Sequence, residues 1–529
     1  MKRPRLGIFV AFFAFYLLTE SREALWADSK AAYLVAEHFV AHGKIDISYG
    51  WPPGQPPARD GKYYSVYPIL PSLVQVPAAW FQWLIKRAWP GAAAFTFPLA
   101  THASCAALAA LACALFFGLC RKLGVSPLAS SLTTLALGAG SLLWPYAHDP
   151  FSEALQTVCF TGLFAEIIET EERRHRGLAL GVWAGLLLNA KLIFALALPG
   201  AAIYLLARLW GDWRRVRTIA LFGLVGLAPF VALSLAYSYA RWGSFVDVSV
   251  AANQASFGEN ALFGLWGFTA SLGRSIFRYS PPLVVSLLGL PRLWRTHRRV
   301  AVAALLTTGP IVYVYCKYAM WPGDHAWGPR YLLFLHPLAL IPAALVLDAL
   351  IARGLRPVHK AALGLVLAAG IAVQILGVVL WRGNWIRISH DVAQSWLGKP
   401  RRTIEGGIED FYMRVWMPAF DPMAGHLWLL RHVWSDDPAE IAQRDGPWRR
   451  YTALNLPLGN FYRNVRIDWW PFLWTKDFPQ YRVQGLILLG TELALLAAGA
   501  AMWIVPLRPR RRADDQGANG PSIGAMPHS

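Results

Sequence analysis

Residues 67–86, YPILPSLVQVPAAWFQWLIK, are long and apolar enough to cross a bilayer, yet Pro68, Pro71 and Pro77 interrupt the run and Gln75 and Gln82 are polar. Whether this stretch crosses decides the sidedness of everything that follows it. If it crosses, Arg173, Arg174, His175 and Arg176, then Arg214, Arg215 and Arg217, fall outside together with the later basic groups. If it lies on the outer surface as an interfacial helix, the basic clusters all fall inside: Arg121 and Lys122, residues 173–176, 208–217, 292–299, 353–360 and 508–512. Cytoplasmic loops collect Lys and Arg, so the second arrangement is the one expected.

Outward from that stretch, apolar runs lie near 6–18, 95–119, 126–145, 151–169, 177–190, 192–210, 218–240, 276–293, 300–318, 331–350, 361–381 and 483–506. They predict an all-α polytopic membrane protein of about twelve transmembrane helices with both termini in the cytoplasm. The composition agrees. Of 529 residues, 56% are hydrophobic and only 15% charged, whereas soluble domains carry about 25% charged residues. The net charge of +19 is then largely a topology signal, and no nucleic-acid partner is needed to explain it. The first run follows Lys2, Arg3 and Arg5, lacks a small-x-small cleavage site and is followed by Glu20, so it reads as an uncleaved span.

The same ledger places residues 20–94 in a large first external loop, with shorter external segments at 146–150, around 190, 241–275 and 319–330. Residues 1–381 form the transmembrane module, and 382–482 an external, tryptophan-rich domain expected to lie low on the membrane, where indole rings favour the boundary. A last helix at 483–506 leads to a polar, Gly-rich tail, 507–529, expected to be disordered in the cytoplasm. All five cysteines sit in apolar runs with no disulfide or zinc spacing, and no Asn-x-Ser/Thr acceptor occurs. These features favour a bacterial plasma membrane. There is no Gly-rich phosphate loop, so no nucleotide-binding domain is expected. A donor or energy source must come from the bilayer, the outer aqueous side or an ion gradient.

Several polar residues exceed what a membrane anchor needs. Asp28 precedes an amphipathic stretch, 31–42, with Ala32, Ala36, Phe39 and Val40 on one face and Gly43 as a stop. It has two readings: an N-cap, or a general base at the lipid-water boundary. Downstream, Lys62, Tyr63 and Tyr64 follow the Asp60-Gly61 turn and offer a cation and hydroxyls above the same surface, or simply a boundary anchor. The loop around His148, Asp149 and Glu153 puts two carboxylates and a histidine at the mouth of two spans. Either acid would also cap the next helix, but at membrane depth such a cluster is a site hypothesis. Lys191 breaks an apolar run, as a turn between spans would. With Arg274, Arg278 and Arg330 it would also hold a phosphate. Residues 321–331, WPGDHAWGPRY, form a Gly/Pro/Trp loop of special geometry, with His325, Arg330 and Tyr331 as candidate ligand contacts. No metal-ligand set is evident, and no cofactor is called for.

Taken together, these motifs resemble the GT-C superfamily of polytopic glycosyltransferases, in particular the bacterial relatives of protein O-mannosyltransferases and of lipid A aminoarabinose transferases. The resemblance rests on Asp28 and Tyr33 after the first span, on Gly61-Lys62-Tyr63-Tyr64-Ser65 leading to Pro68 and Pro71, on the acidic loop at Asp149 and Glu153, and on Trp321 to Tyr331. It covers most of residues 1–350. It implies a sugar donor, mannose-like or related, carried on a polyprenyl phosphate; inversion at the anomeric carbon; an acceptor that is a glycan, lipid or protein; and Asp28 as catalytic base. A second acidic position corresponds to Asp149 or Glu153. The family's adjacent acidic pair is missing, because Ser29 follows Asp28, which leaves Glu20 and Glu23 as alternative carriers of the role. The rival class is a transporter or lipid flippase, for which twelve spans with both ends inside is also a common plan.

Overall fold

The computed structural model describes residues 2–21, 25, 27–48, 57–58, 60–149, 151–169, 175–245, 257–323, 326–396, 408–433, 467–471 and 478–504. Glu23, His325, Trp434, Trp448, Trp474 and the 507–529 tail lie outside these. The fold is mostly helical. Among the described residues, six helical segments are long and apolar enough to cross a membrane: Pro90–Lys122, Trp213–Trp242, Arg298–Lys317, Arg330–Ala352, Pro357–Val378 and Pro479–Ile504. The chain is a multi-pass integral membrane protein.

The first span is α1 (Lys2–Leu18), followed by α2 (Ala27–His42). Gly43, at φ 67°, ends α2, its N–H bonding the Phe39 carbonyl. Ala32 and Ala36 are buried as expected, but Phe39 is 48% exposed; the packed stripe of α2 runs instead through Ala31, Ala32, Tyr33, Val35 and Ala36. One departure from an all-α fold follows: β1 (Asp46–Ile47) pairs antiparallel with β2 (Tyr63–Tyr64). The stretch around 67–86 forms α3 (Ile69–Ala88), continuous through Pro77. Its glutamines donate to α4 (Ala93–Lys122), Gln75 Nε2 to Ser104 Oγ at 2.8 Å and Gln82 Nε2 to Thr96 Oγ1 at 3.0 Å. These contacts align α3 antiparallel to the first part of α4.

Helix occupies each of the remaining apolar runs, but four of them are broken where sequence suggests one continuous rod. The run at 126–145 divides into α5 (Pro127–Gly140) and α6 (Leu143–Ala147), with Ser141 extended between them. α7 (Glu153–Ile167) and α8 (Arg176–Ala190) follow; Lys191 is extended, and a 3₁₀ turn, Leu192–Leu196, precedes α9 (Ala197–Arg208). After α10 (Trp213–Trp242) and α11 (Ala261–Ala270), the third run splits at Pro281-Pro282 into α12 (Ile276–Tyr279) and α13 (Leu283–Thr296). Beyond α14 (Arg298–Lys317), the fourth begins as a 3₁₀ helix, Arg330–Leu335, and continues through α15 (His336–Ala339) into α16 (Ile341–Ala352). In an apolar medium a helix break strands backbone groups unless protein supplies partners. Here Ser280 Oγ accepts from the Leu142 N–H at 3.2 Å and lies 2.9 Å from His336 Nε2.

α17 (Pro357–Val378) leads into residues 382–482, the segment expected to be external, of which α18 (Arg382–Trp396), α19 (Ile408–Trp416) and α20 (Pro422–His432) are described. Several of its described tryptophans pack against protein. Trp385 and Trp428 are 1% and 7% exposed, packed with Phe420 and Leu429 in a small core of their own. Trp469 and Trp470 donate to the Val378 and Leu17 carbonyls at 3.1 and 2.8 Å, fastening the segment to the ends of α17 and α1. The last helix, α21 (Arg482–Ile504), returns to pack along α1 so closely that a Cβ on Gly499 would lie 2.4 Å from the Ala11 nitrogen.

Candidate active site

A polar cleft of about 900 Å³, counted with its open mouth, has a charged and imidazole lining that comprises Asp28, His102, His148, Asp149, Arg330 and Arg382, with Asp468 beside Ser21. Each group is placed by a local feature. Asp28 stands in the first turn of α2. Asp149 and His148 follow α6. Arg330 is positioned by the Gly/Pro/Trp loop: Gly323 and Gly328 adopt φ of 77° and 65°, and Trp321 and Trp327 are fully buried anchors. At Gly328 a Cβ would come within 2.8 Å of Leu142 and Tyr279, so the loop needs glycine there on two counts.

Asp28 is engaged from both oxygens. Tyr67 Oη donates to Oδ1 at 2.5 Å, and Arg330 Nη1 lies 3.7 Å from Oδ2. Arg330 also faces Glu153, its Nε 3.9 Å from Oε1, with that carboxylate only 3% exposed. Phe151 and Tyr331 flank the guanidinium at 5.0 Å each, and its Nη2 donates to Tyr331 Oη at 3.3 Å. Lys191 Nζ sits 4.4 Å from the Tyr331 ring and 5.5 Å from that of Tyr315. Burial pushes its ammonium down to about 8, against the pull of Glu153. Asp149 pairs with Arg382; burial nevertheless sets its carboxyl above the ordinary carboxylate range, Glu153 pushing the same way. Burial lowers the His148 imidazole to about 3, and its Nε2 lies 3.0 Å from Thr19 Oγ1.

The structure therefore brings Asp28, Asp149, His148 and Arg330 to one cleft, with Glu153, Lys191 and Tyr331 directly behind Arg330. Of the two acids left open, Asp149 lines the cleft and Glu153 backs the arginine. Two expected cations are not brought there. Arg274 is 1% exposed and donates to the Pro322 and Gly273 carbonyls, bracing the loop. Arg278 is committed to Asp421 at the start of α20 through contacts of 2.7 and 2.5 Å. Lys62, Tyr63 and Tyr64 do not line the cleft either: Lys62 is exposed, 4.0 Å from Asp60, and Tyr64 Oη donates to Asp60 at 2.8 Å.

The three tyrosines of the 59–68 stretch, Tyr67 among them, read as a boundary anchor or as hydroxyl donors near Asp28, and Tyr67 is the one that reaches it. Sequence reasoning missed three cleft groups. His102 carried a signal, an imidazole inside an otherwise apolar span. Its Nδ1 lies 3.1 Å from Glu20 Oε1, and burial raises that carboxyl well above its usual range. Arg382 and Asp468, the latter accepting from Ser21 Oγ at 2.5 Å, come from the external segment and carried no motif. Among the described residues, no three His, Cys, Asp or Glu side chains form a group suited to a metal ion.

A second, apolar groove of about 1,710 Å³ lies between α11, α13, α14 and α16, lined by Phe268, Leu287, Leu290, Ala304 and Leu305. The 3₁₀ helix Arg330–Leu335 borders both spaces. Arg330 lines the polar cleft, while Leu332 and Leu335 line the groove. Fold and site together define a polytopic helical membrane protein with a charged pocket set against an apolar channel. No family model matches the sequence, and no curated protein matches it. Among solved structures, the chain is similar to ArnT from Cupriavidus metallidurans bound to undecaprenyl phosphate, with a TM-score of 0.45 and 15% identity over 95% of this chain and 79% of that one. It is similar also to the apo state of that protein, with a TM-score of 0.46 and 14% identity over 95% and 75%.

Proposed function

We propose that this protein is a membrane glycosyltransferase that moves a sugar from a polyprenyl-phosphate donor to an acceptor hydroxyl at the outer face of a bacterial plasma membrane. The observation that carries this reading is the two-sided 3₁₀ helix at Arg330–Leu335. It sets a guanidinium in a polar cleft and leucines in an apolar groove within six residues, as an amphiphile with an anionic head and a hydrocarbon tail requires.

In this reading Asp28, oriented by Tyr67 and Arg330, takes the proton from the acceptor hydroxyl as its oxygen attacks the anomeric carbon. The bond from that carbon to the phosphate oxygen breaks, its electron pair leaves with the polyprenyl phosphate, and configuration inverts. Arg330, backed by Lys191, meets the charge that develops on the departing phosphate. Arg274 and Arg278 serve as braces of the loop and of the external segment. His148 and Tyr331 belong to the substrate-lining set, as His325 does on sequence grounds.

The same reading takes twelve spans, N- and C-termini inside, with residues 382–482 as the external domain. One feature supports it. Along α4, Arg121 lies 19 residues, about 29 Å, from His102, close to the thickness of a hydrocarbon core, so basic loop and cleft belong to opposite ends of one helix.

The test is purified protein in liposomes, given radiolabelled polyprenyl-phosphate sugar and membrane extract as acceptor, without an ion gradient. Wild type should label the acceptor, and Asp28→Asn should lose about two to four orders of magnitude in rate while inserting normally. Label that only crosses the bilayer would identify a carrier, and near-normal turnover by Asp28→Asn would remove that residue from the base role.

A further inference from the structure

Arg382 stands where the chain leaves α17 for the external segment, and it lines the polar cleft. Nη2 of its guanidinium pairs with Asp149. Among the described residues its Nη1 is buried with no hydrogen-bond partner, although a buried donor is ordinarily satisfied. The ring of Tyr146 lies 5.9 Å from the guanidinium. The same cleft contains Arg330, which carries counter-ions of its own in Asp28 and Glu153. Two planar cations, each balanced by carboxylate from loops or helix starts, thus share one pocket. A guanidinium fork matches two oxygens of a phosphate, and an unmet Nη1 is the donor such a ligand would take up.

We propose that Arg382 is the second cation of a phosphate-binding site, holding the phosphate of the lipid donor together with Arg330, and that Asp149 is the counter-ion that keeps Arg382 in place until the phosphate arrives. This rests on the reading of the cleft as the head-group site of a phosphorylated lipid. It gives the external segment a direct part in the reaction, since its first helix supplies a ligand to the leaving group. It also gives Asp149 a role distinct from that of Asp28: removing its charge favours the anion instead of disabling the base.

The test is equilibrium binding of farnesyl phosphate to the full-length protein in detergent, with farnesol and inorganic phosphate as parallel probes. Arg382→Gln should weaken farnesyl phosphate about tenfold, Arg382→Lys less, and Asp149→Asn should tighten it severalfold; farnesol should bind all variants as it binds wild type. Opposite shifts in the two variants would not arise from misfolding. Wild-type affinity in both Arg382→Gln and Asp149→Asn, with loss in Arg330→Gln, would leave the phosphate in the cleft and overturn the role of Arg382. Unchanged affinity in Arg330→Gln as well would defeat the head-group reading itself. Inorganic phosphate bound as tightly as farnesyl phosphate would mark a site for free phosphate and overturn the lipid assignment.

Discussion

Asp28 is held by the Tyr67 phenol on one oxygen and faces the Arg330 guanidinium with the other. Tyr67→Phe removes the 2.5 Å hydrogen bond while leaving the ring. It should lower kcat about tenfold with little change in donor KM, because a charge-assisted bond to the base is lost and no substrate contact is. An equal rise in KM would place Tyr67 on the substrate instead. Lys191 gives a pH signature. With its ammonium pushed down to about 8, the charge is present below that pH and fades as pH rises through it. Donor affinity should therefore fall between about pH 7 and about pH 9 in wild type and stay flat in Lys191→Arg; a flat wild-type profile would remove Lys191 from the phosphate's surroundings. The same shift makes the charged lysine costly to bury below about 8, a cost relieved as pH climbs toward its ordinary 10.5. Asp28 and Arg330 were legible in the sequence because turn and loop residues announce where a polar side chain must be fixed. Arg274 and Arg278 were not, because a cation's role depends on its partner, and Asp421 lies 143 positions from Arg278.

At the scale of elements, hydropathy marked where helix would form but not where it would break. A sliding count of apolar residues treats Ser141 and Pro281-Pro282 as small losses, whereas the backbone breaks its helix at each. Proline content alone does not mark the breaks, because Pro77, Pro98 and Pro229 sit inside continuous helices. Gly328→Ala should destabilise the Arg330 loop by about 1–3 kcal/mol, since φ of 65° and the 2.8 Å approaches to Leu142 and Tyr279 must both be relieved. Thermal unfolding in detergent checks this, and an unchanged midpoint would show that the loop has room to shift. The Arg278–Asp421 pair joins α12 to α20 and caps the latter, with Asp421 only 5% exposed and Arg278 33%. Asp421→Ala should therefore cost about 2 kcal/mol, discounted for the arginine's exposure, and expose the external segment to limited proteolysis; equal protease resistance would mean that Trp469 and Trp470 suffice to hold it.

For the whole molecule, the account requires that cleft-facing loops share one side of the membrane and that basic loops occupy the other. The tryptophan-rich segment then acts as a roof over the cleft, pinned at Leu17 and Val378 and contributing Arg382 and Asp468 to its lining. Which of its indoles meet protein was not legible in composition, because indole content alone does not distinguish a ring that meets lipid from one that meets protein. The native cysteines are all buried, so single exposed cysteines can be labelled selectively. Lys62→Cys and Lys360→Cys, both at exposed positions, should be offered a membrane-impermeant maleimide in intact cells and again after permeabilisation. Labelling at position 62 in intact cells, and at 360 only after permeabilisation, is the result predicted; labelling of both from the same side would contradict the shared outer cleft and the mechanism built on it.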